Sequence, residues 1–102
     1  IWLYKFTING VTKMKVSNLT NNNGNRVLNQ FFISHKGVEY FQSYFSQIVM
    51  WKDGKTYLDK YYWNYSNTTA KYRRQLLNEG VDQTRQKIKS GEYILTDLNG
   101  GN

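Results

Sequence analysis

The chain has 102 residues, of which 39% are apolar and 17% aromatic, and its formal net charge is +7. This length predicts a single domain over residues 1–102 with one modest core, and the positive charge favours an anionic partner. The absence of cysteine excludes thiol catalysis, cysteine zinc sites and disulfides, and no apolar run approaches the roughly 18–20 residues of a membrane span.

Apolar and polar side chains alternate at the N-terminus, which is typical of a strand. Asn9-Gly10 follows, and this pair favours the tight turn of a hairpin. The pattern therefore predicts a hairpin over residues 1–16. The next segment, from Asn18 to Asn25, is rich in Asn and Gly, which favour turns over regular structure, and we expect a connecting loop there.

The middle of the chain is predicted to form a series of strands. In order, they are Val27–Ser34, Val38–Tyr44, Gln47–Trp51 and Lys55–Tyr62. The last two would form a hairpin, because Asp53-Gly54 between them is another favoured turn pair. Alternation in the second strand places Tyr40 and Tyr44 on one face and Phe41 and Phe45 on the other.

Two short helices are predicted after these strands. Ser66 or Asn67 suits the N-cap of the first helix, and Gly80 suits the residue that follows its C-terminus. Asp82 is expected to cap the second helix, and Gly91 is expected to end it. Thus the periodicity changes from two to about 3.6 residues in the last third of the chain.

Strands followed by helices predict an α+β fold. We expect an antiparallel sheet of about four to six strands, with the two short C-terminal helices packed on one face. Residues 92–98 would supply one further short strand.

The sequence contains no recognisable catalytic or metal-binding constellation. Its single histidine, His35, stands beside a turn, and its carboxylates are dispersed along the chain. We therefore predict that the protein is not an enzyme and uses no metal and no cofactor. One enzyme alternative remains, a small basic ribonuclease of the toxin type, in which Lys71, Arg73 and Arg74 would stabilise the phosphorane without a metal.

The stretch from Tyr40 to Arg74 combines many aromatic side chains with basic ones. Exposed aromatics on a sheet can stack on single-stranded bases, at roughly 1–3 kcal/mol each, while lysine and arginine follow the phosphates. The alternative is that these aromatics form the core and its cross-strand pairs. The candidate binding residues are Tyr40, Gln42, Tyr44, Tyr61, Tyr62, Trp63, Lys71, Arg74, Arg85 and Lys89.

The segment from Met14 onward resembles a group of small proteins of unknown function from phages, prophages and plasmids of low-GC Gram-positive bacteria. The residues that carry the resemblance are Thr20-Asn21 with Gly24-Asn25, Asn29-Gln30-Phe31, Tyr40-Phe41-Gln42-Ser43-Tyr44, Gly54-Lys55, Tyr57-Leu58-Asp59, Tyr62-Trp63, Tyr65-Ser66, Thr68-Thr69, Lys71-Tyr72-Arg73, Lys87-Ile88, Gly91, Tyr93, Leu95-Thr96 and Leu98-Asn99. Residues 1–13 fall outside this pattern and can be an N-terminal extension of a core over residues 14–99.

The resemblance implies a mobile-element protein that works in the cytoplasm of a bacterial host, and it assigns no role to any residue. Two functions follow as expectations. The first is a non-enzymatic protein that binds and inhibits a host protein or nucleoprotein defence complex, such as a Cas effector, in the manner of anti-CRISPR proteins. The alternative is a basic accessory protein of phage or plasmid replication that binds single-stranded DNA or RNA. Neither expectation involves a membrane, and the oligomeric state stays open.

Overall fold

The computed structural model describes residues 3–7 and 10–100, with side chains from Met14 onward. The predicted turn at Asn9-Gly10 lies partly outside these residues. A mixed sheet and two helices form the predicted α+β fold. The elements are β1 (Leu3–Thr7), β2 (Gly10–Thr20), β3 (Arg26–His35), β4 (Val38–Ser43), β5 (Ser46–Lys52), β6 (Lys55–Asp59), α1 (Asn67–Leu77), α2 (Val81–Ser90) and β7 (Tyr93–Thr96). Neither helix in this part of the chain is long and apolar enough to cross a membrane.

The order of strands in the sheet follows the order of the chain. Strands β2 to β7 agree with the expected strand count, and β1 adds a seventh at the edge. Each pair from β1 to β6 is antiparallel, and from β2 onward a tight turn or short loop joins the strands. The expectation of a wholly antiparallel sheet is wrong for the last pair, because β7 runs parallel to β6. Two helices separate these strands, and a connection of that length lets the chain re-enter the sheet in the same direction.

The core is centred on neighbouring strands of this sheet. Phe41 on β4 pairs with Val49 on β5, which pairs with Leu58 on β6, and all three are fully buried. Directly paired residues share a face, so these side chains form one continuous apolar patch. The other members of the buried cluster are Leu19, Ile48, Tyr72 and Tyr93.

Two of the four helix caps predicted from the sequence are confirmed by the structure. Ser66 is the N-cap of α1, where its Oγ accepts a hydrogen bond from the backbone N–H of Thr69 at 3.1 Å. Gly91 ends α2 in the left-handed conformation, with φ 87°. The end of α1 differs, because Asn78 rather than a glycine takes the left-handed position, with φ 55°. Asparagine tolerates this conformation better than other non-glycine residues, so α1 ends before Gly80.

Gly80 instead begins α2, and the prediction that Asp82 caps this helix is wrong. Gly80 is the N-cap, and its backbone N–H donates to the side chain of Gln83 at 3.1 Å. Asp82 lies in the first turn, where a carboxylate still interacts favourably with the positive end of the helix dipole.

Two strands end earlier than the alternation of side chains predicts. β4 ends at Ser43, so Tyr44 and Phe45 form the turn to β5 and do not continue the faces of the strand. β6 ends at Asp59, so Tyr61 and Tyr62 also lie in a turn. The cause of the second break is the Asp59 carboxylate, whose Oδ2 accepts the backbone N–H groups of Tyr61 at 3.0 Å and Tyr62 at 2.8 Å.

Candidate binding surface

The strand register aligns six apolar side chains in one row across the sheet. The row consists of Val16, Ile33, Tyr40, Met50, Tyr57 and Ile94, each the direct partner of the next. It lies on the opposite face from Phe41, because successive residues of a strand point to opposite faces. All six side chains are only half-buried. We refer to this set as the apolar row.

The two sides of the apolar row differ in chemistry. On the side of the β5–β6 turn, Lys52 and Lys55 are exposed and share the face of the row by alternation. On the other side, Gln47 Nε2 donates to Gln42 Oε1 at 2.8 Å. Partly exposed apolar side chains, amide groups and two cations therefore share one face, and the predicted residues Tyr40 and Gln42 belong to it.

The tyrosine and tryptophan residues after β6 have mixed roles. Tyr62 and Trp63 pack against the buried core, so their rings contribute to folding. Tyr62 also meets the ring of Tyr65 edge-to-face at 5.3 Å. Tyr61 keeps 53% of its surface exposed. Of this predicted triplet, only Tyr61 is largely exposed, and Lys60 Nζ lies 5.2 Å from the centre of its ring.

Arg73 is the largest fully buried side chain in the described part of the chain. Its Nη1 donates to the carbonyl of Trp63 at 2.7 Å and to Asn64 Oδ1 at 2.9 Å, and its guanidinium lies 5.0 Å from the Trp63 ring. Its Nε and Nη2 have no hydrogen-bond partner. Burial lowers the pKa of Arg73, and the neighbouring cations Arg74 and Arg85 lower it further.

The burial of Arg73 bears on the ribonuclease alternative. A guanidinium enclosed in this way does not contact RNA, whereas its neighbours Lys71 and Arg74 stay exposed. The signal for this burial was present in the sequence, because Arg73 lies four residues after Thr69 and four before Leu77, on the inward stripe of α1. Arginine is usually exposed, so the residue type argued against the burial that the helical spacing indicates.

The other predicted cations lie on the exposed surfaces of the helices. Lys71 and Arg74 on α1, and Arg85 and Lys89 on α2, are exposed, as predicted. Arg85 lies 5.8 Å from the ring of Trp63 and 3.8 Å from the carboxylate of Asp82, and it is the predicted cation that meets a predicted aromatic. The predicted site residues therefore form separate groups, on the sheet face, in the turns and on the helices.

Glu79, in the link between the two helices, joins α2 to the last strand. Its carboxylate accepts hydrogen bonds from Lys87 Nζ at 2.7 Å, Tyr93 OH at 2.9 Å and Thr84 Oγ1 at 2.7 Å. Burial alone would raise the pKa of Glu79, but the hydrogen bonds from Lys87, Thr84 and Tyr93 outweigh it and the pKa is lowered. The hydrogen bond to Glu79 also raises the pKa of Lys87. The ionised pair is thus favoured at neutral pH.

Within residues 3–7 and 10–100, no three His, Asp or Glu side chains are grouped so that they could hold a metal ion.

Sequence reasoning missed most of the apolar row, along with Lys52 and Lys55. The register would have revealed them, because pairing the strands across Asp53-Gly54 aligns Met50 with Tyr57.

The fold and these surfaces define a small α+β protein with a partly exposed sheet face and two exposed lysines beside the β5–β6 turn. The chain belongs to the family of unknown function DUF8033, whose model matches residues 14–94. Comparisons with curated proteins and with solved structures found no match.

Proposed function

We propose that this protein is a non-enzymatic binding protein of a mobile genetic element, which inhibits a host nucleoprotein defence complex in the bacterial cytoplasm, as anti-CRISPR proteins do. The apolar row carries the proposal. Six half-buried apolar side chains paired in one row form a contiguous, partly exposed patch, and contiguous apolar surface patches mark interaction sites. The choice of target is an analogy with the phage and plasmid proteins that the chain resembles.

The engagement of the buried carboxylates supports a binding role over a catalytic one. Asp59 is fully buried and accepts backbone N–H groups of Tyr61, Tyr62 and Leu98. Glu79 is bound to three side chains at 2.9 Å or less. A general acid or base has to exchange protons with a substrate, and both of these groups are occupied in joining elements of the fold.

We also propose that both helices pack on the face of the sheet opposite the apolar row. Ser43, which shares the face of Phe41, lies 2.8 Å from Thr69 of α1 through the two hydroxyl oxygens. Tyr93 of β7 donates to Glu79, between the two helices. With the helices on that face, the apolar row is left for a partner.

The part of the partner that contacts Lys52 and Lys55 is expected to be anionic. Lys52 and Lys55 lie beside the row, next to Met50 and Tyr57, and the whole chain carries a net charge of +7. Guide RNA or an acidic protein surface in a nucleoprotein complements this arrangement. The apolar row would then supply most of the affinity, and the lysines would supply orientation and a faster association rate.

The test is phage plating on a host whose nucleoprotein defence targets that phage. Expression of the wild-type protein should restore plaques, and a pull-down from nuclease-treated lysate should recover a subunit of that defence complex. Substituting Tyr57→Asp in the apolar row should abolish both effects, provided that the variant melts within a few degrees of the wild type. Failure of the wild type to restore plating on any defence-bearing host would refute the proposal.

A second candidate function is binding of single-stranded nucleic acid during replication. Tyr40 and Tyr57 stand in the apolar row two strands apart, with Lys52 and Lys55 beside them, so rings for stacking and cations for phosphates share one face. This function needs no protein partner. It therefore predicts direct binding of purified protein to an oligonucleotide.

Gel shifts at two salt concentrations distinguish this candidate. If Lys55 contacts one phosphate, Lys55→Gln should reduce the slope of log affinity against log salt by about 0.7 for a single strand. Lys60→Gln is the control, since Lys60 is also exposed but follows the opposite end of β6. Absence of a shift at low salt, or equal slopes for both variants, would exclude the apolar row as a nucleic-acid site.

A further inference from the structure

Asparagine is followed directly by glycine at Asn9, Asn23 and Asn99. Asparagine in this context is chemically labile, because the backbone nitrogen of the glycine can attack the side-chain amide carbon and no Cβ of its own hinders the approach. The pair at Asn9 lies partly outside the described residues. The structure gives the other two pairs opposite environments, so the same motif is expected to react at one site and to be protected at the other.

The pair Asn23-Gly24 lies in the loop between β2 and β3. Both residues are exposed, and the Asn23 side chain forms no hydrogen bond with the described part of the chain. Gly24 has a φ of 78°, and nothing lies within 4 Å of the position that a Cβ would occupy there. The amide of Asn23 is therefore free to rotate, and the space around the Gly24 backbone is open to it.

The side chain of Asn99 is instead held at both ends of its amide. Its Oδ1 accepts the backbone N–H of Gln47 at 2.7 Å, and its Nδ2 donates to the carbonyl of Gln47 at 3.0 Å. Asn99 is also half-buried. Its amide carbon cannot turn toward the nitrogen of Gly100 until both hydrogen bonds to β5 have broken, so the fold protects this pair.

We propose that Asn23 is a site of spontaneous deamidation in the folded protein, whereas Asn99 is protected by its hydrogen bonds to β5. The Gly24 nitrogen gives up its proton and forms a bond to Asn23 Cγ, the bond from Cγ to Nδ2 breaks, and ammonia leaves. Water then opens the resulting succinimide at either of its carbonyl groups, which yields aspartate or isoaspartate. The net reaction consumes one water molecule and releases one ammonia, and it needs no enzyme.

Hydrogen bonds inside the loop control the rate of this reaction. The Gly24 N–H donates to the carbonyl of Asn21 at 2.9 Å, so the attacking nitrogen has to leave that acceptor first. The Asn21 side chain holds the loop in this shape, because its Oδ1 accepts the N–H groups of Asn23 at 2.9 Å and Asn25 at 3.0 Å. Exposed hydrogen bonds of a loop open at little cost in free energy, so the loop slows the reaction without preventing it.

Deamidation would change both the charge and the shape of the surface beside α1. A cleft between the loop and α1 is lined by Asn21, Asn22, Asn23, Lys71 and Gln75. A carboxylate at position 23 would lie in the same cleft as Lys71, one of the predicted binding residues, and would lower the net charge of +7 by one unit. In the isoaspartate form the backbone gains a methylene group, so the hydrogen bonds that Asn21 accepts within the loop would no longer fit. The modified protein would therefore present a less basic and altered surface at this end of α1.

Peptide mapping by mass spectrometry tests this inference on the full chain after incubation in mildly alkaline buffer. In the folded protein, position 23 should deamidate at least about tenfold faster than position 99, because Asn99 has two hydrogen bonds to break. In guanidinium-unfolded chain the two sites should react at similar rates, since only the shared Asn-Gly motif remains. Equal rates in the folded protein would overturn the inference, as would an intact Asn23 over a period in which the unfolded chain reacts.

Two variants complete the test. Asn23→Gln should prevent the acidic form that appears on ion-exchange chromatography of the aged wild type, because the longer side chain would have to close a less favourable ring. An acidic form that persists in this variant would place the modification elsewhere and overturn the inference. Asn21→Ala should speed deamidation at position 23 and leave position 99 unchanged, since only the loop loses hydrogen bonds. An unchanged rate at position 23, or equal acceleration at both sites, would refute control by the loop.

Discussion

Supplying a counter-charge to Arg73 should stabilise this protein. The guanidinium is fully buried, two of its nitrogen atoms have no hydrogen-bond partner, and no described carboxylate forms an ion pair with it. Asn64 Oδ1 already accepts from Arg73 Nη1 at 2.9 Å. Asn64→Asp would replace this neutral acceptor with a carboxylate of nearly the same shape, so the geometry of the hydrogen bond is retained and a charge–charge attraction is added.

The magnitude follows from the distance and the exposure. Two unit charges about 4 Å apart attract each other by roughly 4 kcal/mol at an effective dielectric constant near 20. Asn64 is exposed, so water screens the new carboxylate and the net gain is closer to that of a good surface pair, about 1 kcal/mol. For a domain of this size, that gain corresponds to a rise of about 4–8 °C in melting temperature.

Urea unfolding at pH 7, followed by tryptophan fluorescence, measures the effect. The same substitution in an Arg73→Met background is the control, because methionine fills the site without a charge, and there the aspartate should give no gain. The gain in the wild-type background should also disappear near pH 3, where the new carboxyl is largely protonated. A gain of equal size with Met at position 73, or a loss of stability in the wild-type background, would refute the reasoning.

Three further predictions concern the fold. Phe41→Ala should lower the free energy of unfolding by about 3–5 kcal/mol in urea titrations, because Phe41 is fully buried, and a loss below about 1 kcal/mol would contradict its central position. Asp59→Ala should lower the free energy of unfolding by about 3 kcal/mol or more and speed hydrogen exchange at the Leu98 amide, because three backbone N–H groups lose their acceptor. Unchanged exchange would show that the carboxylate is dispensable. Because folding lowers the pKa of Glu79, its ionised form stabilises the protein at pH values above 4.5, the ordinary pKa of the group. This stabilisation is lost as the pH falls through the folded-state pKa. Glu79→Gln should therefore show a shallower loss of stability below pH 4.5, and an identical acid profile would exclude Glu79 as a cause.

Local chemistry made much of the fold predictable. The turn pair Asp53-Gly54 and the cap Ser66 act through their own backbone neighbours, so their effect is readable from a few adjacent residues. The choice between Asn78 and Gly80 as the end of α1 could not be predicted from neighbouring residues. Both residues accept the left-handed conformation in which a helix ends, and the position of α2 decides between them.

The candidate surfaces depend on contacts between distant residues. Tyr40 was recognised as a candidate from its type, but its neighbours in the apolar row come from five other strands. Phe45 was assigned to a strand face because alternation suggested it, and the turn that exposes it is set by the pairing of Ser43 with Ser46. Exposure is a property of the packed chain, so alternation alone could not reveal it.

The sequence by itself determined the α+β class, most strand positions, the two helices and the N-cap at Ser66, because propensity, periodicity and turn chemistry are local. Only the tertiary structure decided that β7 runs parallel to β6, that Arg73 is buried while Phe45 is exposed, and that six half-buried side chains line up across the sheet. Each of these outcomes depends on which distant segments share the limited space around the core. The energy of excluding water from that core decides which side chains remain on the surface.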